Sequence, residues 1–458
     1  MANSNSAALI GIDFGTTKTM VAKYDQSKLH AVPQQLGRGA FEMPTSIYET
    51  TEGDVLFGDE AVDEGETDHI NHICRFKMQL GHPGPAHLGR KTGTAEELSA
   101  EFLTHVRLRL EQEILHQKVE RAVLTVPAMF GPAQRKSLKN AAQTAGLTQV
   151  ALLDEPVAAG IAYCDHSDVK GSLRILVVDW GGGTFDVALV ERPEGQEARV
   201  IPEFVAGLDD IGGETLDDSF WHAASDSLVR EGHRGLDQQS PTMWGRYRRD
   251  ITRAKERLSA RDQVRMSFLL DGGSPVSVSL ERGLLEDAIG EAIQKGADFV
   301  GELLQRCQSA DRSPDFILLA GGTSRIPMVK RVFEETLGIE CRTWSQGREA
   351  IALGAALHAR ELWAPNNAAE SLPNSDEKPG KETMSAEAEY RKILEDALKE
   401  GGGTISQKAK TALGSKRSSL ELSVKEAQAI QIELLGVRLS DYVKDIPPSQ
   451  AKTASSKA

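Results

Sequence analysis

The chain has 458 residues, of which 40% are hydrophobic and 26% are charged. This composition is typical of folded globular proteins and excludes a chain that is disordered throughout. Lys and Arg number 53 against 67 Asp and Glu, so the net charge is −14 and no nucleic acid is expected as partner. No stretch approaches the about 20 apolar residues of a membrane span. The four scattered cysteines favour a reducing, cytoplasmic compartment.

The first glycine-rich element lies near the N-terminus. The sequence ALIGIDFGTTKTMVAKYD predicts a strand that ends at Asp13, a turn that contains Gly15, Thr16 and Thr17, and a second strand. Glycines let the backbone approach a phosphate closely, and consecutive N–H groups can then point at its oxygens. The threonine hydroxyls supply further donors. This element therefore predicts a phosphate-binding loop.

The second element repeats that design. The sequence RILVVDWGGGTFDVALVE predicts a strand that ends at Asp179, a turn formed by Gly181, Gly182, Gly183 and Thr184, and another strand. In Rossmann and Walker loops the glycines lead from a strand into a helix, whereas here they join two strands. Two such hairpins predict two similar α/β lobes that face each other across a cleft.

An acid ends the first strand of each hairpin. Asp13 and Asp179 can lie beside a polyphosphate only if a cation separates them, so they predict Mg²⁺ held largely through water, with Mg·nucleotide as the ligand. The alternative is that each hairpin is an ordinary turn, because Asp and Gly are common in turns and Thr in strands. The repetition favours the phosphate-loop interpretation.

Two further glycine pairs precede predicted helices. The sequence GLDDIGGETLDDSF places one pair at a helix start, and FILLAGGTSRIPMVKRVFEETLG places the other between a strand over 316–319 and a helix with Pro327 in its first turn. The free N–H groups of such a helix end suit a sugar or a phosphate, although an ordinary strand-to-helix turn has the same pattern. The residues concerned are Gly212, Gly213, Glu214, Gly321, Gly322, Thr323 and Arg325.

The composition changes after Trp363. Residues 364–384 are rich in Pro, Asn, Ser and charge and predict a flexible linker. Residues 385–443 have helical periodicity, interrupted by glycines at 401–403, and predict a helical hairpin. Residues 444–458 predict a disordered tail.

Taken together, these segments resemble the nucleotide-binding domain of the seventy-kilodalton heat-shock chaperones, the DnaK-type family. The resemblance covers about residues 7–363 and is also carried by VLTVPAMFGPAQRKSLKNAAQTAGL, LLDEPVAAGIAYC, RAKERLSA and EAIALGAALHA. VLTVPAMF, followed by QR, distinguishes these chaperones from actin, sugar kinases and cell-shape proteins. The resemblance implies an actin-like ATPase fold, with two similar lobes and duplicated β-sheet cores around a nucleotide cleft, and a small C-terminal helical segment beyond it.

The resemblance implies slow, Mg²⁺-dependent hydrolysis of ATP to ADP and phosphate, and it assigns residues to this reaction. Lys77, in RFKMQLG, matches the catalytic lysine, and Glu155 and Asp186 match two further acids beside Thr184. Each has a structural alternative: Lys77 as a solvated surface lysine, Glu155 as an acid at a helix N-terminus, and Asp186 facing away from the site. Asp13 and Asp179 match the acids around the metal.

The adenosine side both matches the family and departs from it. Lys255 and Ser259 match adenosine-contacting positions, but Thr252 replaces a ribose-binding Glu, Glu256 replaces an Arg that stacks on adenine, and Arg348 replaces an acid. The loss of the stacked Arg removes a contact worth about 0.5–2 kcal/mol. We therefore expect weaker nucleotide binding or a base that is held differently.

Full-length members of the family follow the ATPase with a β-sandwich that binds peptides. Such a sandwich needs about 100 residues in seven strands, whereas residues 364–458 show no run of strands, so we expect it to be absent.

The leading hypothesis is a chaperone-like ATPase of the stress response that assists protein folding. Its C-terminal helices, or a separate partner, would bind an unfolded or partner protein, with a J-type co-chaperone and a nucleotide-exchange factor. The alternative for the helical hairpin is a packed appendage that binds no partner. The alternatives are a nucleotide-gated scaffold with little hydrolysis and an actin-like filament.

Overall fold

The computed structural model describes residues 8–65, 68, 70–82, 84–88, 91–166, 171–196, 198–240, 243–270, 275–344, 346–364, 390–392 and 394. The chain divides into two units, Met1–Asn366 and Asn367–Ala458. In the second unit, residues 390–392 and 394 are helical. The rest of the predicted hairpin, the predicted linker beyond residue 364 and the predicted tail lie outside the described residues.

Strands and helices alternate along the first unit. The strands are β1 (Ile10–Phe14), β2 (Lys18–Asp25), β3 (His30–Gln34), β4 (Glu42–Pro44), β5 (Ser46–Glu49), β6 (Val55–Phe57), β7 (His72–Cys74), β8 (Pro85–Leu88), β9 (Lys91–Thr94), β10 (Arg121–Val126), β11 (Gln149–Asp154), β12 (Leu173–Trp180), β13 (Phe185–Arg192), β14 (Arg199–Leu208), β15 (Gln263–Leu269), β16 (Pro275–Glu281), β17 (Phe316–Ala320) and β18 (Cys341–Thr343). The helices are α1 (Asp59–Gly65), α2 (Ala95–Arg109), α3 (Pro132–Thr144), α4 (Glu155–His166), α5 (Gly213–Arg230), α6 (Trp244–Leu258), α7 (Arg282–Ser309), α8 (Pro327–Leu337) and α9 (Ala350–Trp363).

Two sheets of the same topology form the framework. The first has the order β11-β10-β1-β2-β3, with β4 beside β2, and the second has the order β14-β13-β12-β17-β18. In each sheet the opening strand, β1 or β12, pairs antiparallel with the next strand and parallel with a later one. The predicted glycine hairpins are β1–β2 and β12–β13, so the predicted α/β architecture with strand–turn–strand elements is confirmed.

The two inner strands β12 and β17 of the second sheet are deeply buried. In β12 every residue from Ile175 to Trp180 is buried, and in β17 all five residues are. Such unbroken apolar runs are typical of strands covered by helices on both faces. In the second sheet the largest core cluster packs α5, α6, α7 and α8 against one face. A smaller cluster joins β12 and β17 to α4 and α9.

Small residues bring α4, α9 and β1 together. A Cβ atom at Gly354 of α9 would lie 1.8 Å from the Ala158 carbonyl oxygen of α4, and one at Gly11 of β1 would lie 2.2 Å from the Ala356 nitrogen of α9. Backbones can approach this closely only through glycine and alanine. The two sheets are thereby fixed through this helix pair. None of the helices in the described part of the chain has the length and apolar character needed to cross a bilayer.

Candidate functional site

A cavity of about 380 Å³ lies between the two glycine hairpins. Its walls come from the ends of β1 and β12, the first turn of α5, one face of α6 and the loops that follow β17 and β18. The predicted site residues that line it are Asp13, Gly15, Thr16, Thr17, Glu155, Asp179, Gly181, Gly182, Gly183, Thr184, Gly213, Glu214, Lys255, Ser259, Gly321, Gly322, Thr323 and Arg325. Segments that are far apart in the sequence thus converge on one cavity.

The two glycine turns meet face to face. A Cβ atom at Gly182 would lie 2.9 Å from Thr17 Oγ1, and one at Gly183 would lie 2.8 Å from Thr16 Oγ1. Only glycine fits between these hydroxyls, since real Cβ atoms almost never come this close. The backbone N–H of Gly181 donates to the Thr184 carbonyl at 3.0 Å and closes the second turn. The result is a pair of rigid loops with hydroxyl and N–H donors around one space.

The turns after β12 and β17 hold each other in place. Gly213 N–H donates to the Gly181 carbonyl at 3.0 Å, and the Thr323 hydroxyl donates to the same oxygen at 3.1 Å. Gly321 has a φ of +81° and would place a Cβ 2.3 Å from the Trp180 oxygen. A short 3₁₀ turn, Thr323–Arg325, precedes α8, and the helix begins at Pro327, the residue that the sequence placed in its first turn.

Four acids and one lysine form a cluster at the floor of the cavity, where Asp13, Glu155 and Asp179 line it. Asp186 and Lys77 adjoin these acids without lining the cavity. Asp179 and Asp186 are directly opposite each other on β12 and β13, so their side chains share one face of the sheet. Lys77 is 1% exposed, and its Nζ donates to Glu155 Oε1 at 2.7 Å. Asp13 accepts from the Thr125 hydroxyl at 3.3 Å. Burial and like charge make this group of acids costly unless further positive charge is supplied.

Burial is the main cause of raised pKa values in this cluster. It raises the pKa of Asp13 and of Asp186 to about 7, in both cases assisted by the negative charge of Glu155. Burial, followed by the charges of Glu155, Asp186 and Asp13, raises the pKa of Asp179 well above its usual range. Lys77 acts in the opposite direction on Asp13 and Asp179. The acids would therefore ionise together only with a cation beside them.

The donor set fits Mg²⁺. Asp179 Oδ1 and Asp186 Oδ2 are buried and receive no hydrogen bond from the described residues. Carboxylate oxygens are the protein ligands that this cation prefers, and Mg²⁺ usually keeps several of its waters. Within the described ranges, no three His, Cys, Asp or Glu side chains converge closely enough to enclose a metal. A cation bound partly through water is consistent with both observations.

A second polar cluster lines the opposite part of the cavity, where α5 and α6 face each other. Lys255 Nζ donates to the Gly213 carbonyl at 2.6 Å and lies 2.8 Å from Asp217 Oδ1. The Thr252 hydroxyl donates to Asp217 Oδ2 at 2.9 Å. The Ser259 hydroxyl donates to the Lys255 carbonyl of its own helix at 3.3 Å. These groups offer both donors and acceptors to a polar ligand.

Three predicted residues do not line the cavity but support residues that do. Lys77 pairs with Glu155, and Asp186 accepts a hydrogen bond from Thr184. A Cβ atom at Gly212 would lie 2.6 Å from the Gly182 carbonyl oxygen. The proposal that Lys77 is a solvated surface residue is wrong, since the side chain is buried.

The sequence did not identify Lys18, Glu42 and Asp217 as lining residues, whereas it placed Thr252, Glu256 and Arg348 on the adenosine side. Lys18 and Glu42 form an ion pair at 2.7 Å, Lys18 also lies 3.6 Å from Glu256, and Arg348 lies 3.8 Å from Glu42. All four line the cavity, as do Asp217 and Thr252. No sequence motif includes Glu42. Asp217 follows Glu214 by three residues on the same helix face, so its place beside Glu214 could have been predicted from the sequence.

The family model described as "Hsp70 protein" matches residues 84–372. The chain belongs to the Hsp70 family. The chaperone protein DnaK of Mycoplasmopsis agalactiae is 30% identical over 360 residues, which cover 77% of this Hsp70-family chain and 58% of that protein. DnaK of Nitrosopumilus maritimus is 29% identical, with 77% and 56% covered. The chain thus spans little more than half the length of these two Hsp70-family relatives.

Proposed function

We propose that this chain binds Mg·ATP in the cavity between its two glycine hairpins and slowly hydrolyses it to ADP and phosphate. The single observation that carries the proposal is the convergence of both hairpins, with Asp13 and Asp179 at their strand ends, on one cavity. Two loops rich in N–H and hydroxyl donors suit a polyphosphate, and the acids suit the cation that accompanies it. Family membership supports the same activity.

The proposal includes an actin-like arrangement over residues 7–363. The sheet that contains β1 and the sheet that contains β12 would each form the centre of one lobe, with the nucleotide cleft between them. The shared strand order of the two sheets supports this duplication. Residues 364–384 would be a linker, 385–443 a helical hairpin and 444–458 a disordered tail.

In this proposal the chain's own groups bind and orient the phosphates. Gly15, Thr16 and Thr17 on one side and Gly181–Thr184 on the other would donate to phosphate oxygens. Mg²⁺, held near Asp13 and Asp179, would neutralise part of the charge that develops during phosphoryl transfer. Lys77, fixed by Glu155, would add a positive charge on the same side.

A carboxylate near the phosphate end would orient the attacking water. Asp186 is buried, and one of its oxygens receives no hydrogen bond from the described residues. Glu155 would hold Lys77 and contribute to the metal environment. The retained acids and lysine favour hydrolysis over a scaffold that only binds nucleotide.

The adenosine would lie between α5, α6 and the turn after β17. Glu214, Lys255 and Ser259 would contact the sugar and base, together with the turn residues Gly213, Gly321, Gly322, Thr323 and Arg325. Glu256 and Arg348 line the same region and carry charges opposite to those that the family resemblance implies at these positions. We expect the base to be held by polar contacts rather than by a stacked Arg.

The biological role that we propose is that of a cytoplasmic chaperone-like ATPase. The two relatives are named as chaperone proteins, which supports clients that are unfolded or partner proteins. In this proposal the C-terminal helices bind the client. A J-type co-chaperone and a nucleotide-exchange factor are the expected regulators.

Single-turnover hydrolysis of ATP with Mg²⁺ tests the proposal. We expect slow release of phosphate by the wild type and loss of release by Asp179→Asn, which retains nucleotide binding. The control is Asp262→Asn, because the Asp262 side chain is 93% exposed and pairs with Arg282 outside the cavity. Unchanged hydrolysis by Asp179→Asn would refute the assigned site, and binding without hydrolysis by the wild type would support the scaffold.

A further inference from the structure

Arg75 connects the segment that carries Lys77 to the first turn of α5. It lies between β7 and the 3₁₀ turn Phe76–Gln79, and its side chain reaches across to Glu214. The Arg75 Nε atom is 2.9 Å from Glu214 Oε1. Neither the glycine motifs nor the family resemblance singles out this arginine.

The backbone of Arg75 indicates that its side chain matters. Arg75 has φ 64° and ψ 9°, the left-handed region that favours glycine. A non-glycine residue in this region is strained, and glycine would make the same turn without that strain. The arginine therefore contributes something that a turn-forming residue alone would not.

Glu214 needs a positive partner. The glutamate lines the cavity, and its side chain is 17% exposed. Its Oε1 atom is buried and receives no aligned hydrogen bond from the described residues, so the ion pair with Arg75 is its close polar contact. Asp217 and Asp218, on the same helix, add negative charge, and Lys255, on α6, adds positive charge. Burial raises the pKa of Glu214 to about 7, while Arg75 is the strongest influence that lowers it.

We propose that Arg75 is a positioning residue of the nucleotide site, which holds the Glu214 side chain at the cavity wall as a carboxylate. As a carboxylate, Glu214 accepts hydrogen bonds from a ligand such as a nucleoside with adjacent sugar hydroxyls; as a neutral acid it loses acceptor capacity. This inference rests on the proposed function and adds to it a residue that acts through Glu214.

The first test needs no nucleotide. The side-chain carboxyl ¹³C signal of Glu214, assigned by its absence in Glu214→Gln, reports the pKa of this group directly. We expect Arg75→Gln to raise the pKa of Glu214 by about one unit, as the loss of a neighbouring opposite charge does, and Arg75→Lys to restore most of the difference. An unchanged pKa in Arg75→Gln would overturn the inference.

The second test measures ADP affinity with Mg²⁺ by titration calorimetry across neutral pH. Asp13 and Asp186 also titrate near neutral pH, but they are present in the wild type and in every variant. The difference between the pH profiles of ADP affinity therefore isolates the effect on Glu214. Near neutral pH, Arg75→Gln should bind ADP about five- to tenfold more weakly, with the difference vanishing about two pH units higher, where Glu214 is ionised in both proteins. Arg75→Lys should follow the wild type.

A matched control keeps the outcome specific. Arg38 also forms an ion pair with an acid, Asp63, at 2.8 Å, but both side chains are more than half exposed and neither lines the cavity. Arg38→Gln should leave the ADP profile unchanged. If the ADP affinities of Arg75→Gln and the wild type coincide at every pH, the role of Arg75 is refuted but the proposed function is not. Failure of the wild type to bind ADP at any pH would instead refute the proposed function.

Discussion

Replacement of Lys77 by Met removes the positive charge that balances the acids of the cavity floor. The Lys77 ammonium is 1% exposed, lies 2.7 Å from Glu155 and is flanked by the rings of Phe14 and Phe130 at 5.8 and 5.7 Å. Removal of one partner from such a buried pair leaves an uncompensated charge and typically costs about 3–5 kcal/mol. We therefore expect Lys77→Met to lower the free energy of unfolding by about 3 kcal/mol or more.

The unfolding free energy that Lys77→Met loses should increase with pH. The pKa values of Asp13 and Asp186 are raised from 3.8 to about 7 in the folded protein. An acid with a raised folded pKa contributes stability that is full below its unfolded pKa and lost as pH rises through its folded pKa. Lys77 lowers the pKa of Asp13 and Asp179, so its removal should cost most above about pH 7 and less near pH 5.

Urea denaturation of the wild type, Lys77→Met, Glu155→Met and the double variant Lys77→Met/Glu155→Met measures these differences. The double variant replaces both partners by apolar groups and should lose less stability than Lys77→Met alone, because no unpaired glutamate remains. A Lys77→Met variant within about 1 kcal/mol of wild type above pH 7 would refute the reasoning. The reasoning would also be refuted if the double variant lost as much unfolding free energy as the two single variants lose together.

Three further predictions concern the packing and charge of the site. Gly212→Ala should weaken ADP binding and lower the free energy of unfolding by about 1–3 kcal/mol, because the new Cβ meets the backbone of the facing turn. Its control is Gly322→Ala, which has open space around the new Cβ. In urea denaturation this control should stay within about 0.5 kcal/mol of the wild type. Trp180→Phe should cost about 1–3 kcal/mol in the same assay, since it leaves a buried carbonyl oxygen without its donor, while the half-exposed Trp244 should tolerate Phe. Without nucleotide, Mg²⁺ should raise the melting temperature more at about pH 8 than at about pH 6, because the floor acids bind it only when ionised; equal shifts would contradict their assignment.

The sequence predicted the parts of the site that are local in the chain. Asp13, Gly15 and the two threonines follow one another within five positions, and the Asp179 hairpin repeats the same order, so both turns were visible as patterns. Family resemblance then supplied Glu155 and Lys77, which no local pattern connects. Their contact joins residues 78 positions apart, one in the turn after β7 and the other at the start of α4.

Other features depend on tertiary structure and were not predictable. The direction of Asp186 follows from its register opposite Asp179, which the strand pattern left open. Lys18 and Glu42 meet because β4 pairs with β2 across a long connection. A role for Arg75 could not be predicted from the sequence, because no known motif includes an arginine at this position. Only its backbone conformation and its contact with Glu214 distinguish it from other surface arginines.

The central claim is that Mg·nucleotide binds between the two glycine hairpins, and a crystal structure of the complex with Mg²⁺ and ADP tests it most directly. The account predicts the phosphates between Gly15–Thr17 and Gly181–Thr184, the metal near Asp13 and Asp179, and the sugar beside Glu214. Nucleotide bound elsewhere, or phosphates that contact neither hairpin, would contradict it.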